Sequence, residues 1–162
     1  MEAFSLSRNI QNIASQNYKD IDGIIPILEA SLEEYWYTMP VAQSILKHIE
    51  ETNERIEQIV QGVIQIAETL SQLHANGISH RDIKPDNIYY YNERYFLGDF
   101  GLVDHPDNPH DYTRSDKGLG ATFTIAPEMK RDPKHADGKE ADVYSLAKTM
   151  WMLLSGDNRG FD

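Results

Sequence analysis

From Glu54 onward, apolar residues recur at three- and four-residue intervals, at Ile56, Ile59, Val60, Val63, Ile64, Ala67, Leu70 and Leu73. This spacing predicts a long amphipathic helix with one face turned to a core. Gly77 follows the last of them and is suited to stop the helix in a left-handed cap. Helical spacing also runs through Phe4, Leu6, Ile10 and Ile13, and the polar residues from Tyr18 to Gly23 then predict a loop. Two short runs of strand length follow, Ile24 to Leu28 and Tyr35 to Met39, with Glu29 to Glu34 as the turn between them. Pro26 has no N–H to give a ladder, so the first run belongs at an edge or a bulge. Ile88 to Tyr91 and Tyr95 to Leu97 predict a small hairpin around Asn92-Glu93.

Composition bounds this picture. A chain of 162 residues with 40% hydrophobic content is long enough for one substantial core. It has no cysteine, which excludes a disulfide framework or a thiolate metal site. No stretch at its start resembles a signal peptide and the longest apolar stretches fall short of a membrane span, so the expected location is the cytoplasm, without a membrane partner. The net charge of −11 argues against nonspecific attraction to nucleic acid or anionic lipid.

The chemistry is concentrated in His80-Arg81-Asp82-Ile83-Lys84-Pro85-Asp86-Asn87, with Asp99-Phe100-Gly101 shortly downstream. Phosphoryl transfer asks little covalent work of a protein. It needs an oriented hydroxyl, countercharge on the phosphates and metal ions that bridge them. Asp82 is suited to accept or orient a hydroxyl proton, and Lys84 to lay positive charge against the moving phosphoryl group. Asn87 and Asp99 offer hard oxygens that suit Mg²⁺, expected together with nucleotide. The predicted hairpin brings Asp99 back beside Asn87.

The two motifs resemble the catalytic loop and the metal-binding loop of protein kinases, with Ile83 in place of the usual Leu. Ala126-Pro127-Glu128 resembles the end of that family's activation segment. Asp142-Val143-Tyr144-Ser145-Leu146 resembles the start of the long helix beyond it, here carrying Met150, Leu153 and Leu154 as well. Lys84 at its position is similar to the serine/threonine branch. Met39-Pro40-Val41-Ala42 resembles the hinge, where the carbonyl of Pro40 and the amide of Ala42 would serve adenine and Met39 would gate the inner pocket. Tyr89 falls where the family has an aliphatic residue beneath the adenine, which implies a bulkier or tilted floor. The resemblance further implies a stack of Ile13, Ile27, His80 and Phe100 anchored by Asp142, and a phosphate-binding role for Arg81. Candidate phosphorylated hydroxyls are Thr113, Ser115, Thr122 and Thr124. Gly120-Ala121 stands where the family has Gly-Thr, with Thr122 one place late.

The resemblance covers only the middle of a kinase domain. No G-x-G-x-x-G loop or strand Lys precedes Phe4, and Asn9 matches the position of the Glu that pairs with that Lys. Beyond Asp162 the later helices are missing, including the Arg expected to pair with Glu128. A fragment, a truncated gene product and a degenerate relative all fit. An incompletely covered large-lobe surface would then invite association.

Other patterns have plainer readings. Gly118-Leu119-Gly120 lacks a third Gly and reads as a turn. His105, Asp107 and His110 lack metal-ligand spacing and read as a polar loop, as do Asp104, Asp111 and Asp116. His80 reads as a packed residue in place of an acid or base, and Tyr89-Tyr90-Tyr91 and Trp36 as strand and core aromatics. The expected fold is α+β and protein-kinase-like, a partial small-lobe sheet plus an incomplete, mainly helical large lobe. Residues 1–42 would be the C-terminal part of the small lobe with the hinge, and 43–162 the N-terminal part of the large lobe. The expected function is ATP-dependent phosphoryl transfer to Ser/Thr of protein substrates, with turnover by the 162-residue chain alone expected to be undetectable. The competing expectation is a noncatalytic pseudokinase-like module that binds nucleotide or protein.

Overall fold

A computed structural model describes residues 20–31, 33–34, 36–103, 123–132, 134–157 and 159. In chain order its elements are strands β1 (Glu29–Ser31), β2 (Trp36–Thr38) and β3 (Gln43–Ser44), and helices α1 (Ile45–Glu51) and α2 (Arg55–Ala75). A 3₁₀ turn (Pro85–Asn87), β4 (Ile88–Tyr91), β5 (Arg94–Leu97), α3 (Pro127–Arg131) and α4 (Gly138–Ser155) follow. Several expectations fall outside the described residues: the helical spacing from Phe4 to Ile13, with Asn9 within it, and His105, His110 and the acidic positions from Asp104 to Asp116. Gly118 to Ala121 and the hydroxyls of Thr113, Ser115 and Thr122 lie outside them too.

The long helix forms where the apolar spacing puts it. Ile59, Ile66, Leu70 and Leu73 of α2 are buried, and Gly62 lets the side chains of Ile45 and Tyr95 approach the helix backbone. These residues belong to one core with Ile88, Leu97, Phe100, Leu146 and Leu153, so α2 is covered by the β4–β5 hairpin on one side and by α4 on the other. Ile56, Val60 and Ile64 do not join it. They are 63%, 38% and 53% exposed, a second ridge at four-residue spacing that no described element covers. Gly77, at φ +77°, ends the helix as expected, with its N–H on the carbonyl of His74 and that of Ile78 on Leu73.

Sheet pairing departs from the predicted strands at one place. Ile24 to Leu28 is not a strand. Ile24 makes an isolated parallel bridge to Leu97, the Ile25 N–H donates to the Leu97 carbonyl at 2.9 Å, and the Leu97 N–H donates to the Gly23 carbonyl at 2.7 Å. Ile25 is buried and Ile24 half-buried against β5, and the two are not paired as half of a small-lobe hairpin. Pro26 cannot extend that ladder, and the chain turns away. Pairing resumes at Leu28, whose N–H donates to Thr38, so β1 occupies residues expected as the turn, with Ala30 opposite Tyr37. Trp36 is a strand residue but no core residue: it is 39% exposed and donates through Nε1 to Glu34.

The second sheet has the order β3-β4-β5, with Ser44 opposite Tyr89 and Tyr89 opposite Phe96. Its hairpin forms as predicted. Asn92 and Glu93 both have positive φ, 47° and 60°, the signature of a two-residue turn whose twist suits the flanking strands. Helix α4 begins at Gly138, ahead of the expected start near Asp142, because the Asp137 side chain caps it by accepting the N–H of Lys139 at 2.8 Å. Gly156 at φ +74° ends it. On its outer side Val143 and Leu154 stay exposed.

Tyr95 ties the hairpin to α2. Its ring is fully buried, its N–H donates to Gln65, and its hydroxyl donates to Gln58 at 2.9 Å. Burial, with a smaller contribution from Tyr90, pushes its phenol up to about 12. Because the folded value lies above the ordinary 10, the stability this group contributes is complete below about pH 10 and is lost as pH rises through about 12. At neutral pH, Tyr95→Phe is expected to unfold more readily in urea by about 1 kcal/mol, the worth of the lost hydrogen bond. The gap to the parent should close across that alkaline window; a gap that stays constant would rule out this account of the phenol.

Candidate active site

The loop after α2 is shaped by a carboxylate from far along the chain. Asp142, on the first turns of α4, is fully buried. Its Oδ2 accepts the His80 N–H at 2.7 Å and the His74 Nε2–H at 2.9 Å, and its Oδ1 accepts the Arg81 N–H at 2.7 Å. A buried charge needs such donors to replace water. They also hold Arg81 at φ +66°, a left-handed conformation that a non-glycine residue resists.

His80 is placed by the same grip. Its ring is fully buried, edge-on to Phe100 at 4.8 Å. Nε2 donates to the Gly98 carbonyl at 3.1 Å, which leaves Nδ1 as the acceptor of the Asp82 N–H at 3.3 Å. Only the neutral ring can do both. Burial holds its pKa below the ordinary histidine value, against the pull of Asp142, Asp82 and Asp99. The reading of His80 as a packed residue therefore agrees with its surroundings.

Asp82 is buried, and its two oxygens have different partners. Oδ2 accepts the Lys84 Nζ–H at 2.7 Å and the Asn87 Nδ2–H at 3.1 Å. Oδ1 is buried and has no hydrogen-bond partner among the described residues. Asn87 Nδ2 also donates to the Asp82 carbonyl at 2.8 Å, so both of its amide hydrogens are engaged and Oδ1 is its remaining polar atom. The tight hairpin then returns the chain. The Gly98 N–H donates to the Asn87 carbonyl at 2.9 Å, which places Asp99 at the same end of the hairpin as Asn87. Asp99 has φ +59° and accepts the Gly101 N–H through Oδ1 at 3.3 Å. An amide oxygen and a carboxylate suit a hard divalent cation that keeps sites for other oxygens. No group of three or more His, Asp or Glu forms an all-protein cage among the described residues.

Met39, Pro40 and Ala42 are half-buried and lead directly into β3, which pairs with the strand carrying Tyr89. Among the described residues neither the Pro40 carbonyl nor the Ala42 amide takes part in a hydrogen bond. Tyr89 is half-buried, and burial, then Tyr37, Asp99 and Asp86, push its phenol above the ordinary range. Thr124 is only 2% exposed, too enclosed to serve as an accessible phosphorylation hydroxyl. Glu128 is half-buried in the first turn of α3.

Two residues that no motif singled out complete the site. His74 reaches Asp142 from the last turn of α2, and Lys139 Nζ donates to the His74 carbonyl at 2.7 Å. The only local signal for His74 is a polar ring near the end of an apolar helix; its partner is 68 residues away.

Asp142→Ala would leave two buried N–H groups and an imidazole without their acceptor. It is expected to destabilise the fold by about 3 to 5 kcal/mol, as loss of one side of a buried charged network does. Hydrogen exchange at the His80 and Arg81 amides should accelerate ahead of exchange in the middle of α2. Unchanged protection at those two amides would refute the anchoring.

The model of the protein kinase domain matches residues 7–159. The chain is 41% identical over 102 residues to serine/threonine-protein kinase R436 of Acanthamoeba polyphaga mimivirus, covering 62% of this chain and 36% of that protein. It is 35% identical over 94 residues to CBL-interacting protein kinase 4 of Oryza sativa subsp. japonica, covering 57% and 20% of the two chains. To the serine/threonine-protein kinase PknF of Mycobacterium tuberculosis it is 34% identical over 104 residues, covering 61% and 21%. The chain thus spans about a third or less of the length of these relatives. The small antiparallel sheets, the helices and the match over 7–159 together establish that this chain belongs to the protein kinase domain family, with a partial α+β kinase fold.

Proposed function

We propose that the chain carries the phosphoryl-transfer centre of an ATP-dependent kinase acting on Ser and Thr of protein substrates. The observation that carries this reading is the asymmetry of Asp82: one oxygen held by Lys84 and Asn87, the other buried and unpartnered. A buried acceptor without a donor is costly, and a substrate hydroxyl would satisfy it. In this reading Asp82 Oδ1 orients the attacking hydroxyl and takes its proton. Lys84, 2.7 Å from Oδ2, holds the carboxylate in that rotamer and sets positive charge beside the position of the moving phosphoryl group.

Asn87 Oδ1 and the Asp99 carboxylate would hold Mg²⁺, which when bound neutralises charge on the phosphates. The Pro40 carbonyl and Ala42 amide would engage adenine, with Met39 behind it and Tyr89 beneath. Residues 1–42 are then the end of the small lobe and the hinge, and 43–162 the start of the large lobe. No described helix is long and apolar enough to cross a membrane, and a cytoplasmic setting suits the reading.

Calorimetry with Mg-ATP on the 162-residue chain should detect binding. Asp82→Asn should leave the affinity within about twofold, since the hydroxyl and not the nucleotide is its partner, while Asp99→Asn should weaken the dependence of binding on Mg²⁺. Transfer of radiolabelled phosphate to a basic Ser/Thr peptide should be measured on the product of the complete reading frame containing this chain. Asp82→Asn is expected to reduce it about a hundredfold or more. Full transfer activity in Asp82→Asn would overturn the assignment.

A further inference from the structure

Gly98 lies between the hairpin and the catalytic-loop motif. Its N–H is bonded to Asn87 and its carbonyl to the His80 ring, so its backbone is clamped between two site residues from opposite sides. A Cβ at this position would stand 2.7 Å from Tyr89 Cε2 and 2.9 Å from Ile25 Cγ2. Ile25 is 3% exposed and tied through its own N–H to Leu97, so it has little room to retreat. The Tyr89 ring is half-buried and is the neighbour free to move.

We propose that Gly98 and Tyr89 are a matched pair in which the missing side chain at 98 makes room for the aromatic ring beside the backbone leading to Asp99, and so sets the depth of the nucleotide-base cleft. The inference rests on the nucleotide-binding reading above and adds a positioning residue to it. A shorter aliphatic side chain at 89 would remove the nearer of the two contacts a Cβ at 98 makes, leaving that with Ile25 Cγ2.

The test is a double-mutant cycle on the 162-residue chain with Gly98→Ala, Tyr89→Leu and the double variant, read by Mg-ATP calorimetry and by thermal unfolding. Gly98→Ala alone is expected to weaken Mg-ATP about tenfold, the effect of overpacking on one contact. In the Tyr89→Leu background the same change should weaken binding clearly less, by about threefold, since the contact with the ring is gone and only that with Ile25 Cγ2 remains. The melting temperatures should show the same coupling without nucleotide. If the parent binds Mg-ATP but Gly98→Ala has equal effects with and without Tyr89, the matched pair is refuted and the nucleotide reading stands. If the parent binds no Mg-ATP while the melting temperatures still couple, the nucleotide reading fails, and the pair's role in the cleft falls with it.

Discussion

One buried carboxylate organises the site. Asp142 takes three donors that would otherwise face a core without water: two successive backbone N–H groups and an imidazole. Left-handed backbone at a residue with a side chain costs on the order of 1 to 3 kcal/mol. Three charge-assisted hydrogen bonds offset that and hold Arg81 in place. From there the constraint is handed on through His80, whose neutral ring receives the N–H of Asp82 on one side and grips Gly98 on the other. The backbone leading into Asp82 is therefore held by a residue on α4, while Lys84 and Asn87 hold its carboxylate.

The second constraint is local. The hairpin of β4 and β5 closes through two residues with positive φ, and its open end carries Asn87 and Asp99. Gly98 joins the two constraints, since its N–H belongs to the hairpin and its carbonyl to the His80 ring. The long-range anchor and the short-range turn thus meet at one peptide, and the polar atoms they leave open are the Asp82 and Asn87 oxygens.

Much of this was legible from the residues themselves. The helix at Arg55–Ala75, its stop at Gly77 and the hairpin around Asn92-Glu93 follow from periodicity and turn chemistry, because each depends on contacts within a few residues. The motif from Asp82 to Asn87 stood out by its resemblance to the kinase catalytic loop and by the chemistry of its side chains, not by periodicity. What could not be read was which apolar residues find cover. Ile56, Val60 and Ile64 share the spacing of Ile59 and Ile66 yet lie exposed, because burial depends on where the hairpin and α4 pack. The run from Ile24 was misread because two consecutive isoleucines fit a hairpin strand and a core plug equally well, and only the bonds to Leu97 separate the two. His74 and Gly98 were invisible for a related reason: the polar and steric partners that give them meaning lie 68 and about nine residues away.

That separation bears on how the site assembles in time. A two-residue hairpin closes on the order of microseconds, so the edge carrying Asn87 and Asp99 can form as soon as its own strands exist. The bond from His80 to Asp142 spans 62 residues and must wait for that loop to close and for α4 to dock. Until then the backbone N–H groups of His80 and Arg81 lack the acceptor that Asp142 gives them. The loop from His80 to Asn87 is therefore among the last of the described parts to acquire its shape, and a nascent chain that has not yet made α4 would hold the hairpin edge of Asn87 and Asp99 without that anchor.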